Sequence, residues 1–323
     1  MKPLLLGGTD LTAAVAERMR KIGIPPIGLV HVGARFTISY EPAGVTNVRH
    51  VDLPAWCDAA GIPHQTYQNA KAVRSFAEEL GADFCLAAGW FHMVPAELRA
   101  VFRLGTAGLH ASLLPRLRGG APLNWALLSG ERETGISLFA LGDGVDDGPL
   151  YGQERFPIGP RTTIGELVAA AEAGGLALID RCLPGIAGGE LRPRPQTGQP
   201  SYCLQRVPSD GWINWAESAE YIDRLIRAVG RPYPGACAYF EGRKLLIWSA
   251  EPAPASPTVL GAPGQLARMP DQQNPWVVTG QGCLILREVT DAQGTDVLAD
   301  LRRSGNKRFD PMPQSSVTGT SLC

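Results

Sequence analysis

The chain is predicted to be an α/β protein, a doubly wound and mostly parallel sheet followed by a smaller C-terminal β-barrel. Three observations predict it. A short apolar run at residues 3–6 ends in Gly7-Gly8-Thr9 and leads into helical spacing at Leu11, Ala14, Val15 and Met19. Residues 84–88 are apolar throughout, as a strand buried on both faces must be. Beyond residue 209 the pattern becomes short alternating runs separated by Gly turns, the mark of a small antiparallel barrel.

Taken in order, Asp10 stands where a helix N-cap belongs after the first strand. The preceding turn lacks the Gly-x-Gly-x-x-Gly spacing of a dinucleotide site. Residues 27–32 read as the second strand, 53–60 as a helix leading to Ile62-Pro63, and 70–80 as a further helix. The 84–88 strand runs into Gly89-Trp90-Phe91-His92-Met93-Val94-Pro95, on its own a strand end stopped by proline with aromatics filling core. Pro122 opens a short amphipathic helix. Residues 163–183 form a long helix with Ile164, Leu167, Ala170, Ala171 and Leu178 on its apolar side.

The first domain is expected to span residues 1–190. Residues 191–208, rich in Pro and Gln, have the composition of a linker. A second domain covers 209–303, with a helix at 216–229 and strand-like runs at 236–240, 244–248, 276–279 and 283–289. From Ser304 to 323 the chain is polar with Pro and Ser, and disorder is expected.

Lys and Arg number 30 against 31 Asp and Glu, a formal charge of −1. That balance argues against a nucleic-acid partner, which ordinarily meets a basic face. The seven cysteines, Cys57, Cys85, Cys182, Cys203, Cys237, Cys283 and Cys323, show no zinc-type pairing and an odd count. They read as reduced residues of a cytoplasmic protein with no metal centre. No apolar run approaches the ~18 residues of a membrane span, and no leader pattern is present.

The chemistry concentrates between Gly108 and Leu150. His110 follows an apolar run at a strand end, and Asp146 lies in a turn marked by Gly144, Gly148 and Pro149. Side chains from two strand ends can meet in the crevice of an open α/β sheet. There a carboxylate orients an imidazole for proton transfer. Taken singly, each residue has a plain alternative: a structural histidine beside a strand, and an aspartate serving only its turn.

The motifs decide between them. His-Ala-Ser-Leu-Leu-Pro from His110, then Arg118-Gly119, Ala121-Pro122, Glu133-Thr134-Gly135 and Asp146-Asp147-Gly148 resemble the signature of the folate-dependent formyltransferases. Residues 209–250 resemble the second domain of that family's longer members. The resemblance implies a Rossmann-like first domain, an OB-like second one, N10-formyltetrahydrofolate as co-substrate, and His110 and Asp146 as catalytic residues. It places the folate along His92, Met93 and Val94 and along Gly142, Asp143, Gly144, Val145 and Asp146.

Ala-Pro-Leu-Asn-Trp at 121–125 is closer to the amino-sugar nucleotide branch of the family, which implies a primary amine on a nucleotide-linked sugar as substrate. Gly120 departs from the arginine usual in one group of that branch. Candidate substrate contacts are Thr9, Arg116, Arg118 and Asn124; the alternatives are a plain βα turn at Thr9, exposed arginines, and a helix residue facing water at Asn124. Another departure concerns chemistry. The family carries Asn two residues before its histidine, where it donates to the oxygen that becomes negative, and this chain has Gly108. Losing one such donor costs ~10²–10³ in rate. Methionyl-tRNA formylation, hydrolysis of formyl-folate and non-catalytic folate binding therefore stand as alternatives. The amine and homo-oligomerisation are left open.

Overall fold

A computed structural model describes residues 1–38, 41–269 and 273–311. The chain opens with β1 (Pro3–Gly7), α1 (Asp10–Lys21) and β2 (Gly28–His31), then a small antiparallel hairpin of β3 (Arg35–Ile38) and β4 (Glu41–Thr46). Next come α2 (Leu53–Ala60), β5 (His64–Thr66), α3 (Ala70–Leu80), β6 (Phe84–Ala87), α4 (Ala96–Arg99) and β7 (Thr106–His110). They are followed by β8 (Arg118–Gly119), α5 (Pro122–Leu128), β9 (Glu133–Ala140), β10 (Leu150–Pro157), α6 (Ile164–Gly188) and β11 (Tyr202–Cys203).

Seven of these strands form one sheet in the order β10-β9-β7-β6-β1-β2-β5. The five from β5 to β7 run parallel, and β9 is antiparallel to both its neighbours. β1 and β6 are buried at every position because helices cover both faces of a doubly wound sheet. Strand alternation sends Leu4, Leu6, Val30 and Cys85 into one core with Val73 and Ala77 of α3. Strand order reverses between β1 and β6, and the carboxyl ends of the strands there frame the crevice where such sheets bind ligands.

By compactness the chain divides into two units. The first comprises Met1–Pro122, Glu133–Pro157 and Val168–Leu204; the second comprises Leu123–Arg132, Ile158–Leu167 and the chain from Gln205 onward. The second unit holds a 3-10 turn (Pro208–Gly211), α7 (Ala219–Val229), β12 (Ala236–Phe240), β13 (Arg243–Pro252), β14 (Leu266–Ala267), β15 (Trp276–Val278), β16 (Cys283–Asp291) and α8 (Leu298–Arg303). Its strands form a curled antiparallel sheet, a half-barrel in the order β12-β13-β16-β15-β14. A buried carboxylate, Asp223 of α7, bonds Arg227 Nε at 2.9 Å and Arg161 Nη1 at 2.8 Å within this unit.

Local chemistry moves some expected boundaries. The N-cap of α1 is Thr9, not Asp10, because Thr12 Oγ1 accepts the Gly8 and Thr9 amide hydrogens at 3.0 and 3.1 Å and so starts the helix one residue earlier. α7 begins at Ala219, where Ser218 accepts the Tyr221 amide, rather than at 216. α6 continues through Pro184 to Gly188. Its start is a capping box in which Glu166 accepts from the Thr163 amide at 2.7 Å, and that bond holds the Glu166 carboxyl below its usual range.

Residues 191–203 carry specific bonds rather than the free run a linker composition suggests: Leu150 and Arg194 exchange both backbone bonds, and β11 pairs with β8. The chain also stays ordered past Ser304. Phe309 is buried and packs 4.6 Å from Trp215, burial that a tail read as polar overlooked. The remainder of that expected tail, 312–323 with Cys323, lies outside the described residues. The other six cysteines are buried. Among the described residues no helix is long and apolar enough to cross a membrane.

Candidate active site

His110 ends β7, and two neighbouring segments fix its ring. The imidazole is buried at 9 % exposure, its Nε2 lies 2.7 Å from the Leu117 carbonyl, and its Nδ1 lies 3.4 Å from Asp146 Oδ2. A carbonyl can only accept, so Nε2 carries the hydrogen and Nδ1 is the nitrogen turned to the carboxylate. The same Oδ2 accepts the Gly119 amide hydrogen at 2.8 Å. Asp146 Oδ1 is left for an incoming donor.

Asp146 stands at φ 48°, a left-handed conformation that Asp tolerates better than most residues but that its surroundings must hold. The turn around it is tight. A Cβ on Gly148 would lie 1.8 Å from the Ala140 carbonyl oxygen, so only glycine lets this loop close against the end of β9.

These groups open onto a cleft of about 180 Å³. Its walls include Trp90, His92, Met93 and Val94 beyond β6, Gly108 and His110 on β7, and Gly142, Gly144 and Asp146 of the loop after β9. His92 stacks against Tyr67 with ring centroids 4.2 Å apart and meets Trp90 edge-on at 5.3 Å. Burial lowers the His92 pKa and favours its neutral form. Both Trp90 Nε1 and His92 Nε2 are buried without a hydrogen-bond partner.

Of the residues expected around the folate, His92, Met93, Val94, Gly142, Gly144 and Asp146 share this cleft. Asp143 and Val145 are not on its wall: Asp143 pairs with Arg99, and Val145 is exposed. Thr9 sits at the carboxyl end of β1 with its Oγ1 buried and unpartnered, close to Gly89. Arg116 is exposed. Arg118 is held by neutral groups, bonding Gln196 Oε1 through Nη2 at 2.7 Å and through Nε at 3.2 Å and reaching Tyr202 Oη at 3.3 Å.

Asn124 does not join them. It falls in the second unit, buried, with its amide donating to the Ala228 carbonyl at 2.7 Å, so the helix position read as free for a ligand serves packing instead.

Two features of the site escape a reading of sequence. Leu141 and Phe139 occupy the space a side chain on Gly108 would need, with Leu141 Cδ2 2.8 Å and Phe139 Cε1 3.3 Å from such a Cβ. Gln196, in the segment read as linker, donates to the carbonyls of Asp146 and Gly148 at 2.8 and 2.7 Å. Pro- and Gln-rich composition gives no sign of such a contact.

A histidine and a carboxylate meet at the strand ends of a doubly wound sheet, and the chain adds a half-barrel unit. Residues 3–180 match the family model described as formyl transferase, and residues 206–300 match that of the formyl transferase C-terminal domain. The chain belongs to this family of folate-dependent formyltransferases, a transferase whose co-substrate is a formyl-tetrahydrofolate.

The methionyl-tRNA formyltransferase of Symbiobacterium thermophilum is 30% identical over 298 residues, covering 90% of this chain and 87% of that one. The fold is similar to an N-formyltransferase of Helicobacter canadensis in complex with folinic acid and dTDP-3-aminofucose, with a TM-score of 0.62 at 17% identity over 89% of this chain and 99% of that one. It is also similar to HypX of Aquifex aeolicus in complex with tetrahydrofolic acid, with a TM-score of 0.64 at 16% identity over 98% of this chain; the chain spans half of that protein.

Proposed function

We propose that the protein transfers the formyl group of N10-formyltetrahydrofolate to a primary amine on a nucleotide-linked amino sugar. The observation that carries the transfer chemistry is the 3.4 Å approach of Asp146 Oδ2 to His110 Nδ1 in one cleft. The co-substrate supplies the formyl group. Asp146 Oδ1 takes the proton that the amine must lose as its nitrogen bonds to the formyl carbon. His110 keeps its Nδ1 beside that carboxylate, and Asp146 returns the proton to the departing N10 nitrogen as the C–N10 bond breaks. The cleft holds the two reactants in line.

Arg118 supports the nucleotide part of the reading. Its hydrogen-bond partners are neutral, so its charge is oriented yet not cancelled, as a phosphate contact requires. Net charge of −1 favours a small substrate over a nucleic acid. A second reading, methionyl-tRNA formylation, is favoured by relatives such as the Symbiobacterium enzyme.

The test is release of tetrahydrofolate from N10-formyltetrahydrofolate with a panel of nucleotide-linked amino sugars and, separately, with initiator methionyl-tRNA. Turnover is expected with an amino-sugar nucleotide. Turnover with the tRNA alone overturns the substrate class, and formate release without any acceptor points to hydrolysis.

A further inference from the structure

We infer that Gln196 is a positioning residue for formyl transfer: its amide sets the Asp146 turn and the Arg118 guanidinium in one register. The inference rests on the proposed role of Asp146.

The four hydrogen-bonding positions of the Gln196 amide are all used. Its two N–H hydrogens go to the Asp146 carbonyl at 2.8 Å and the Gly148 carbonyl at 2.7 Å. Its oxygen accepts from Arg118 Nη2 at 2.7 Å and Nε at 3.2 Å. This network allows one amide orientation only, because carbonyls cannot donate and a guanidinium cannot accept.

The segment that carries Gln196 is anchored on both sides of it. Upstream, Leu150 and Arg194 exchange backbone bonds at 2.7 and 2.8 Å. Downstream, Ser201 Oγ accepts the Leu117 amide at 2.9 Å, and the Ser201 carbonyl accepts the Arg118 amide at 2.9 Å. Leu117 is the residue whose carbonyl holds His110 Nε2. The segment thus grips the loop behind the histidine and, through Gln196, the turn that carries the carboxylate.

Asp146 needs such a grip. A non-glycine residue at φ 48° persists where neighbours over-determine it, and here the restraints are the Gly119 amide on its carboxylate and Gln196 on its carbonyl. Without Gln196 the turn is free to relax toward ordinary backbone angles, which carries Oδ2 away from Nδ1. A shift of about 1 Å in a catalytic group costs on the order of 10²-fold in rate.

Gln196→Glu separates the two ends of the amide. A carboxylate keeps the acceptor for Arg118 and sets oxygen against both carbonyls. Gln196→Ala removes all four bonds without adding repulsion. Both variants are expected to lower kcat roughly 10- to 100-fold. In an Asp146→Asn background, adding Gln196→Glu should cost little more, because the positioned group is already disabled.

Wild-type kcat in both Gln196 variants, with Asp146→Asn impaired, overturns this inference alone. A full further loss in the Asp146→Asn background, tracking a fall in melting temperature, shows a purely structural role and also overturns it. An unimpaired Asp146→Asn instead removes the catalytic reading of Asp146 on which the inference stands.

Discussion

Asp146 and Gly119 lie 27 residues apart, and the carboxylate of one accepts the amide hydrogen of the other at 2.8 Å. The bond couples the turn after β9 to the loop after β7. His110 sits between them, one ring nitrogen on Leu117 and the other turned to Asp146. The geometry of the pair therefore depends on the turn that carries Asp146 and on the segment from Leu117 to Gly119, which β11 holds through its pairing with β8.

The apolar filling beside Gly108 predicts how a restored oxyanion donor behaves. Gly108→Asn alone must push Leu141 aside, since its Cβ would stand 2.8 Å from Leu141 Cδ2, and overpacking of this kind costs about 1–3 kcal/mol. Paired with Leu141→Ala, the new amide has room. The expected outcome is a higher kcat for the pair than for either single variant, approaching the ~10²–10³ that one donor is worth. Equal rates in the single and double variants would show that Leu141 is no obstacle.

Gly148→Ala should separate activity from folding. The added methyl meets a backbone oxygen at 1.8 Å, which cannot swing away as a side chain can. The turn must shift, and kcat is expected to fall roughly 100-fold or more while circular dichroism still reports the intact sheet. Wild-type kcat in this variant would mean that the turn tolerates displacement.

Acid should destabilise the protein through two histidines. Burial holds His92 below the ordinary 6.5; His31 is lowered by burial first and then by neighbouring His64 and His50. The unfolded chain takes up these protons first, so their stabilisation is complete above pH 6.5 and is lost as pH falls through the lowered native values. Melting temperatures measured from pH 8 downward should decline in that window, and His92→Gln should flatten part of the slope. An identical slope in the variant counts against the assignment.

The second unit rests on Asp223, only 4 % exposed, between Arg227 and Arg161. Asp223→Ala strands the buried Arg227 charge and should cost about 3–5 kcal/mol in urea unfolding. Removing the more exposed Arg161 should cost about 1 kcal/mol or less. Similar losses from the two changes would show that the outer ion pair matters as much as the inner one.

Sheet and helices were legible where periodicity is long. Residues 53–60 and 70–80 emerge as α2 and α3 with the expected ends, because Gly61 and Gly81 close both helices in the left-handed conformation. The β3–β4 hairpin and β11 were not legible. They are short and lack a repeating pattern, and only a pairing partner defines them. Asn124 misled for a related reason: polarity on a helix does not say which face is covered, and the Ala228 carbonyl covers this one.

By itself, the order of amino acids determined the doubly wound architecture, the family and the motif residues His110 and Asp146, because apolar periodicity and fixed motif spacing are properties of the chain alone. Tertiary structure decided what those residues meet: Leu117 and Gly119 about the histidine and carboxylate, Leu141 in the place of an absent amide, and Gln196 behind the turn. Contacts between residues far apart in sequence leave no local pattern, since any donor that arrives at the right carbonyl will serve.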